Sequence, residues 1–243
     1  GFESLFMHVW RLRENVLDIF EMTTGGRVIL SINQVGGLVH DIPDDVLKRV
    51  EGKLVSLRDE YQQIKKTFLS NSSVKDRTGG VGHVSHDKAI ELGMVGPFAR
   101  GSHVNNDVRC LGIGGYGLLS DFTPILSSQG DCYARIYVRS NEVVQSIDIA
   151  LEMIRSLTPG SVSVDVKGPI PDGAQAVNLL EQPRGECFYY SLGNGTDYLE
   201  RMRMRTPSSE NLAGMVAALE GCDLADVNMI ILTIDPCISC TER

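Results

Sequence analysis

The 243-residue chain is 42% hydrophobic and carries 31 acidic against 23 basic side chains, a net charge of −8. That apolar content can fill one large or two small cores, and the acidic balance argues against a general nucleic-acid binder, whose affinity would come from excess Lys and Arg. No apolar run reaches the roughly 18 residues of a membrane span, no charged-then-apolar leader is seen, and Cys110, Cys132, Cys187 and Cys222 stand isolated, so a soluble protein of a reducing cytoplasm is expected rather than a secreted disulfide framework.

Leu5, Val9, Leu12, Val16 and Phe20 recur at helical spacing and predict a first helix, stopped by Gly25-Gly26. Val28–Ile32 reads as a short extended stretch, and Gly36-Gly37 as a turn. Pro43, Asp44 and Asp45 open a second helix, whose stripe runs through Val46, Val50, Leu54, Leu57, Tyr61, Ile64 and Phe68. Residues 70–85 are polar and Gly-rich and read as a loop; a short helix is expected over His86–Leu92, and residues 93–132 as ordered loops over a site. Ile136, Val143, Ile147, Leu151 and Ile154 predict a third long helix, ended by Thr158-Pro159-Gly160 and packed on the second. Between Cys187 and Arg205, alternating runs flank Asn194-Gly195, a hairpin signal. Ser208 or Ser209 then caps a last helix carrying Leu212, Met215, Val216 and Leu219, and Met229–Ile234 reads as a short buried strand. The expected fold is mainly α (α+β), a bundle of long helices with small β-hairpin elements, and residues 1–243 are read as a single domain.

The chain ends Asp235-Pro236-Cys237-Ile238-Ser239-Cys240-Thr241-Glu242-Arg243. A redox Cys-x-x-Cys normally opens a helix, whose positive end lowers the thiol pKa; with three residues left, no helix is expected, and metal ligation is the preferred reading. Two thiolates are half of a four-ligand site. One completion is zinc, with the loop pair His83 and His86 joining Cys237 and Cys240 in an interaction module. Gly112-Ile113-Gly114-Gly115-Tyr116-Gly117 satisfies the dinucleotide expression, but lacks the strand before it and the helix after it that the chemistry needs. Arg184, in Glu181-Gln182-Pro183-Arg184-Gly185-Glu186, is either an ordinary turn residue or a guanidinium presented rigidly to a polar ligand. Residues 96–102 with Asp107-Val108-Arg109 suggest a second, buried polar cluster.

Taken together, Arg11–Glu21, Thr24–Arg27, Val35–Gly37, Gly96–Ser102, Asp107–Arg109, Tyr133–Arg135, Val138-Arg139, Gln145–Ile147, Pro183–Glu186 and the terminal Asp-Pro-Cys-x-x-Cys resemble the large subunit of nickel-iron hydrogenases. The resemblance covers nearly the whole chain and is closest to the energy-converting, membrane-associated group, which is related to the 49-kDa subunit of respiratory complex I. It implies Cys237 as a terminal nickel ligand and Cys240 as a nickel–iron bridge. It also implies Arg184 above the open coordination position near diatomic ligands on iron, Pro183 shaping that pocket, and Asp235 orienting the guanidinium. The implied reaction is reversible, heterolytic hydrogen oxidation, coupled to a small iron-sulfur subunit and further subunits of a membrane-bound complex, peripheral on the cytoplasmic face. A second Cys-x-x-Cys and a proton-relaying Glu are expected upstream of Gly1, so the chain reads as a carboxyl-terminal fragment that binds no nickel-iron centre alone. The alternative implied is a complex I-type NADH:quinone oxidoreductase subunit, with quinone or NAD among its ligands.

Overall fold

The computed structural model describes residues 3–242; Gly1 and Arg243, on which the readings of the two chain ends fall, lie outside them. In chain order the elements are α1 (Glu3–Thr24), β1 (Asn33–Gln34), β2 (Gly37–Leu38), α2 (Asp44–Ser70), α3 (Ser72–Thr78), α4 (His86–Glu91), α5 (Gly96–Arg100), α6 (Cys132–Ser156), β3 (Gln175–Gln182), β4 (Gly185–Gly193), β5 (Leu199–Arg205), α7 (Pro207–Glu210), α8 (Leu212–Leu219), α9 (Val227–Ile234) and α10 (Ile238–Thr241). This is the mainly helical fold with small antiparallel sheets that the sequence led us to expect. The described residues fall into two compact units, 3–68 with 144–168, and 69–143 with 169–242.

The first unit is a packing of long amphipathic helices. Leu12 and Ile19 of α1, Val50, Leu54, Leu57 and Ile64 of α2, and Ile147 and Leu151 of α6 form its core. The second and third long helices therefore pack as their stripes predict, and Arg58 grips Asp148 across them at 2.5 and 3.2 Å. Gly25, at φ 75°, ends α1, and its N–H closes on the Glu21 carbonyl at 3.0 Å. Residues 28–32 form no strand; the Gly36-Gly37 turn instead joins β1 to β2, a two-residue ladder.

The second unit is centred on Val84, Ala89, Met94, Phe98, Ala99, Cys132, Ala218, Ile230 and Ile234. Its sheet is ordered β3-β4-β5, all antiparallel. The hairpin around Asn194-Gly195 is present as β4–β5, with a register irregularity at Leu192/Gly193.

Four expectations are corrected. The stretch 70–85 contains α3, because the Asn71 side chain accepts the N–H groups of Ser73 and Val74, and one good cap can start a helix with a single buried apolar residue, Val74. Met229–Ile234 lies in a helix rather than a strand; a short apolar run cannot be assigned by periodicity, and burial of Ile230, Thr233 and Ile234 follows i, i+3, i+4. The last residues do form a helical turn, closed by Thr241 N–H to the Cys237 carbonyl at 3.1 Å and by Glu242 N–H to that of Ile238 at 3.2 Å. Finally, neither Ser208 nor Ser209 caps the last helices: Thr206 and Asn211 occupy those positions, and the serines are used elsewhere.

Candidate metal centre

Pro183 and Arg184 are the two residues of a tight turn, since Gln182 of β3 pairs directly with Gly185 of β4. Proline presets φ at the first position. The turn rests on the amino end of α5, where the backbones meet at two glycines: a Cβ on Gly96 would stand 2.2 Å from the Arg184 carbonyl oxygen and 2.5 Å from Gly185 Cα. The β3 side is tied down by Glu181, which accepts Arg100 Nη1 at 2.9 Å and the Val108 N–H at 3.1 Å. Arg100 is 1% exposed and also meets Glu142 at 2.7 Å and Asp107 at 3.2 Å, while Asp107 takes Arg109 at 2.6 Å. This is the second buried cluster expected from residues 96–102 and 107–109, completed by Glu142 and Glu181 from distant parts of the chain. Burial pushes the Glu181 carboxyl upward, against the pull of Arg100.

From this turn Arg184 reaches Asp235. Its Nε donates to the Asp235 carbonyl at 2.7 Å, and Nη2 lies 3.3 Å from Oδ1. Asp235 ends α9 in the left-handed conformation, φ 60° and ψ 55°, which Asp tolerates better than most residues. That reversal turns the chain into the cysteine loop. Cys237 N–H donates to Ser208 Oγ at 2.9 Å, and the Cys240 carbonyl accepts from Ser209 Oγ at 3.0 Å and from the Thr206 hydroxyl. Short helix α7 thus holds both ends of the Cys-x-x-Cys, a task that its run of small polar residues did not reveal in the sequence.

The two thiols differ. Cys237 is brought down to about 7 by hydrogen bonds from Ser239 and Cys240, with the Arg184 charge helping, whereas burial raises Cys240. Both are half-exposed rather than buried as the strand reading implied, and among the described residues no disulfide forms. A soft thiolate pair with one member near neutrality suits nickel or iron. Among the described residues, however, no group of three or more His, Cys, Asp or Glu side chains converges, and two thiols by themselves do not make a closed four-ligand site. The zinc reading fails on this geometry: His86 gives its Nδ1 to the Ser102 carbonyl at 3.1 Å, and the loop histidines do not join the cysteines. The Gly112–Gly117 run follows one 3-10 turn, Val108–Leu111, and runs into another, Gly114–Leu118, rather than joining a strand to a helix, so its dinucleotide reading also falls.

Helix α7 also carries Glu210, whose side chain is 2% exposed beside Arg205. Burial pushes its carboxyl up to about 7. A carboxyl raised in the folded state binds a proton there that the unfolded chain has already released above about pH 4.3, so its contribution to stability falls as pH rises toward 7. Melting should therefore drop less between about pH 5 and 8 in Glu210→Gln than in the wild type; parallel melting curves would contradict this.

The family model of the respiratory-chain NADH dehydrogenase 49 Kd subunit matches residues 1–171 and 164–243. Over its full length the chain is 37% identical to the carbon monoxide-induced hydrogenase of Rhodospirillum rubrum, 33% to the membrane-bound hydrogenase subunit alpha of Pyrococcus furiosus, and 31% to formate hydrogenlyase subunit 5 of Escherichia coli. It spans 67%, 60% and 42% of those proteins. The fold superposes on a chain of the membrane-bound sulfane sulfur reductase, an archaeal respiratory membrane complex, with a TM-score of 0.90 at 27% identity, covering 98% of this chain and 66% of that one. No helix among the described residues is long and apolar enough to cross a membrane. The chain belongs to the family of the 49-kDa subunit of the respiratory-chain NADH dehydrogenase, and is similar over its whole length to subunits of membrane-bound hydrogenases.

Proposed function

We propose that this chain is part of the catalytic subunit of a membrane-associated nickel-iron hydrogenase, with Cys237 and Cys240 as two of the four thiolates of the metal site. The observation that carries the reading is the arginine held at the cysteine loop: Arg184 Nε on the Asp235 carbonyl at 2.7 Å, two residues before a thiol at about 7. A nickel-iron centre, when bound, supplies the splitting and formation of dihydrogen. The residues of this chain contribute the rest. Cys237 and Cys240 would hold the metals with their thiolates; Arg184 would keep a cation and a fork of donors at the mouth of the loop, Pro183 would shape its wall, and Asp235 would fix its direction. Two thiolates are half of a four-ligand site, so the 243-residue chain alone is expected to hold no stoichiometric nickel or iron. Partners would be a small iron-sulfur subunit and the membrane arm, with the complex peripheral on the cytoplasmic face.

The test is Cys237→Ser in the full-length subunit within its complex. Nickel per subunit and viologen-linked hydrogen evolution should both fall by at least about tenfold, because a hydroxyl is a far harder ligand than a thiolate. A second reading is favoured by the family match itself: a complex I-type subunit that reduces quinone. A wild-type complex without nickel, reducing quinone at a rate that Cys237→Ser leaves unchanged, would replace the first reading by the second.

A further inference from the structure

The last carbonyls of a helix have no partner within the helix and need donors from outside. In α9 those donors come from Arg139 of α6, while Arg135, four residues before it on the same face, bonds an α9 side chain. Arg135, fully buried, donates its Nε to the Thr233 hydroxyl at 3.0 Å and an Nη1 to the Gly82 carbonyl at 2.9 Å. Arg139 takes the main chain: Nε to the Thr233 carbonyl at 3.1 Å, Nη2 to the Ile234 carbonyl at 2.6 Å, and Nη1 3.6 Å from Asp235 Oδ2. The residue that follows is Asp235, one of two non-glycine residues at positive φ among those described. Its carboxylate is shared, since Arg184 Nε also lies 3.3 Å from the same Oδ2.

We propose that Arg139 is a positioning residue for the site: by capping α9 it locks the left-handed turn at Asp235, and so aims the Asp235 carbonyl and carboxylate at Arg184 and sets the departure of the cysteine loop. Arg139 touches neither cysteine; it acts through Asp235. The link to turnover rests on the reading of Arg184 as a site residue, but the link to loop geometry does not.

The experiment compares Arg139→Met, Arg139→Lys, Arg184→Lys and the double variant Arg139→Met/Arg184→Lys, all in the full-length subunit within its complex. Amide exchange by mass spectrometry reads the turn without reference to metal. In Arg139→Met the segment 233–240 should exchange at least about tenfold faster while the β3–β5 sheet stays protected, and Arg139→Lys, which keeps the charge but loses the fork, should fall between. Hydrogen evolution per bound nickel should drop roughly 10- to 100-fold, since small displacements at a reacting centre cost that much, and the double variant should lose less than the product of the two single losses, because both arginines act on Asp235. Unchanged exchange in 233–240, or rate losses that multiply in the double variant, would overturn the proposal. Should Arg139→Met not assemble, the exchange and rate of Arg139→Lys decide by the same criteria. A wild-type complex lacking nickel and hydrogen evolution would defeat the hydrogenase reading instead, and the exchange measurement would still decide the role of Arg139.

Discussion

Gly96→Ala is expected to lower the stability of the second unit by about 3 kcal/mol and to cut any turnover that depends on Arg184 by roughly 100-fold. Two costs add. Gly96 sits at φ 68°, where a Cβ is strained by about 1–2 kcal/mol. The new methyl would also meet the Arg184 carbonyl oxygen at 2.2 Å and Gly185 Cα at 2.5 Å, and these are backbone atoms that cannot rotate away. The turn must lift, and with it the guanidinium. Gly93→Ala separates the two terms: Gly93 is at φ 62° with nothing within 4 Å, so it carries the strain without the clash. Thermal melting should show Gly96→Ala lower than Gly93→Ala by several degrees, at roughly 2–4 °C per kcal/mol for a chain of this size. Equal melting temperatures would mean that the α5–turn contact adjusts freely and does not place Arg184.

The second large effect is expected at Arg100, which is buried and reaches three carboxylates: Asp107 at 3.2 Å, Glu142 at 2.7 Å and Glu181 at 2.9 Å. Arg100→Met keeps the volume but leaves buried negative charge without its partner, a change that typically costs about 3–5 kcal/mol. The loss has a pH signature. Burial already pushes Glu181 upward, and removing the cation pushes it further, so the folded variant binds a proton that the unfolded chain has lost. Its deficit should therefore be smallest near pH 5 and grow as pH rises, and adding Glu181→Gln should restore part of the melting temperature at pH 8. A pH-independent deficit would show that packing, not charge, holds the cluster. Because Glu181 also anchors β3 two residues before Pro183, Arg184 should lose its place in the same variant.

Much of this architecture was legible in the chain. The three long helices follow from 3.6-residue stripes, since each buries one face, and the β4–β5 hairpin from Asn194-Gly195, because the turn demands those residues. The terminal Cys-x-x-Cys and the Pro183-Arg184 turn mark the candidate site by residue type alone, before any fold is known. Strand β3 was not legible, since Gln175–Gln182 is largely exposed and mixes polar and apolar residues without a clean alternation. Helices α3 and α9 were misread for the opposite reasons: one is made by a cap rather than a stripe, and the other is a short apolar run whose class depends on what surrounds it.

What the chain alone determined is therefore the local grammar and the candidate chemistry: which segments coil, where they turn, and that two thiols, an arginine and an aspartate are the candidate site residues. What only the tertiary structure decided is how that inventory is aimed. Gly96 against Arg184, Arg100 on Glu181, Arg139 on the last carbonyls of α9, and Ser208 and Ser209 on the cysteine loop join residues 29 to 95 positions apart. Such contacts leave no periodic trace in sequence, because each needs only one hydrogen-bonding group or one missing Cβ at a position set by the packing of other elements.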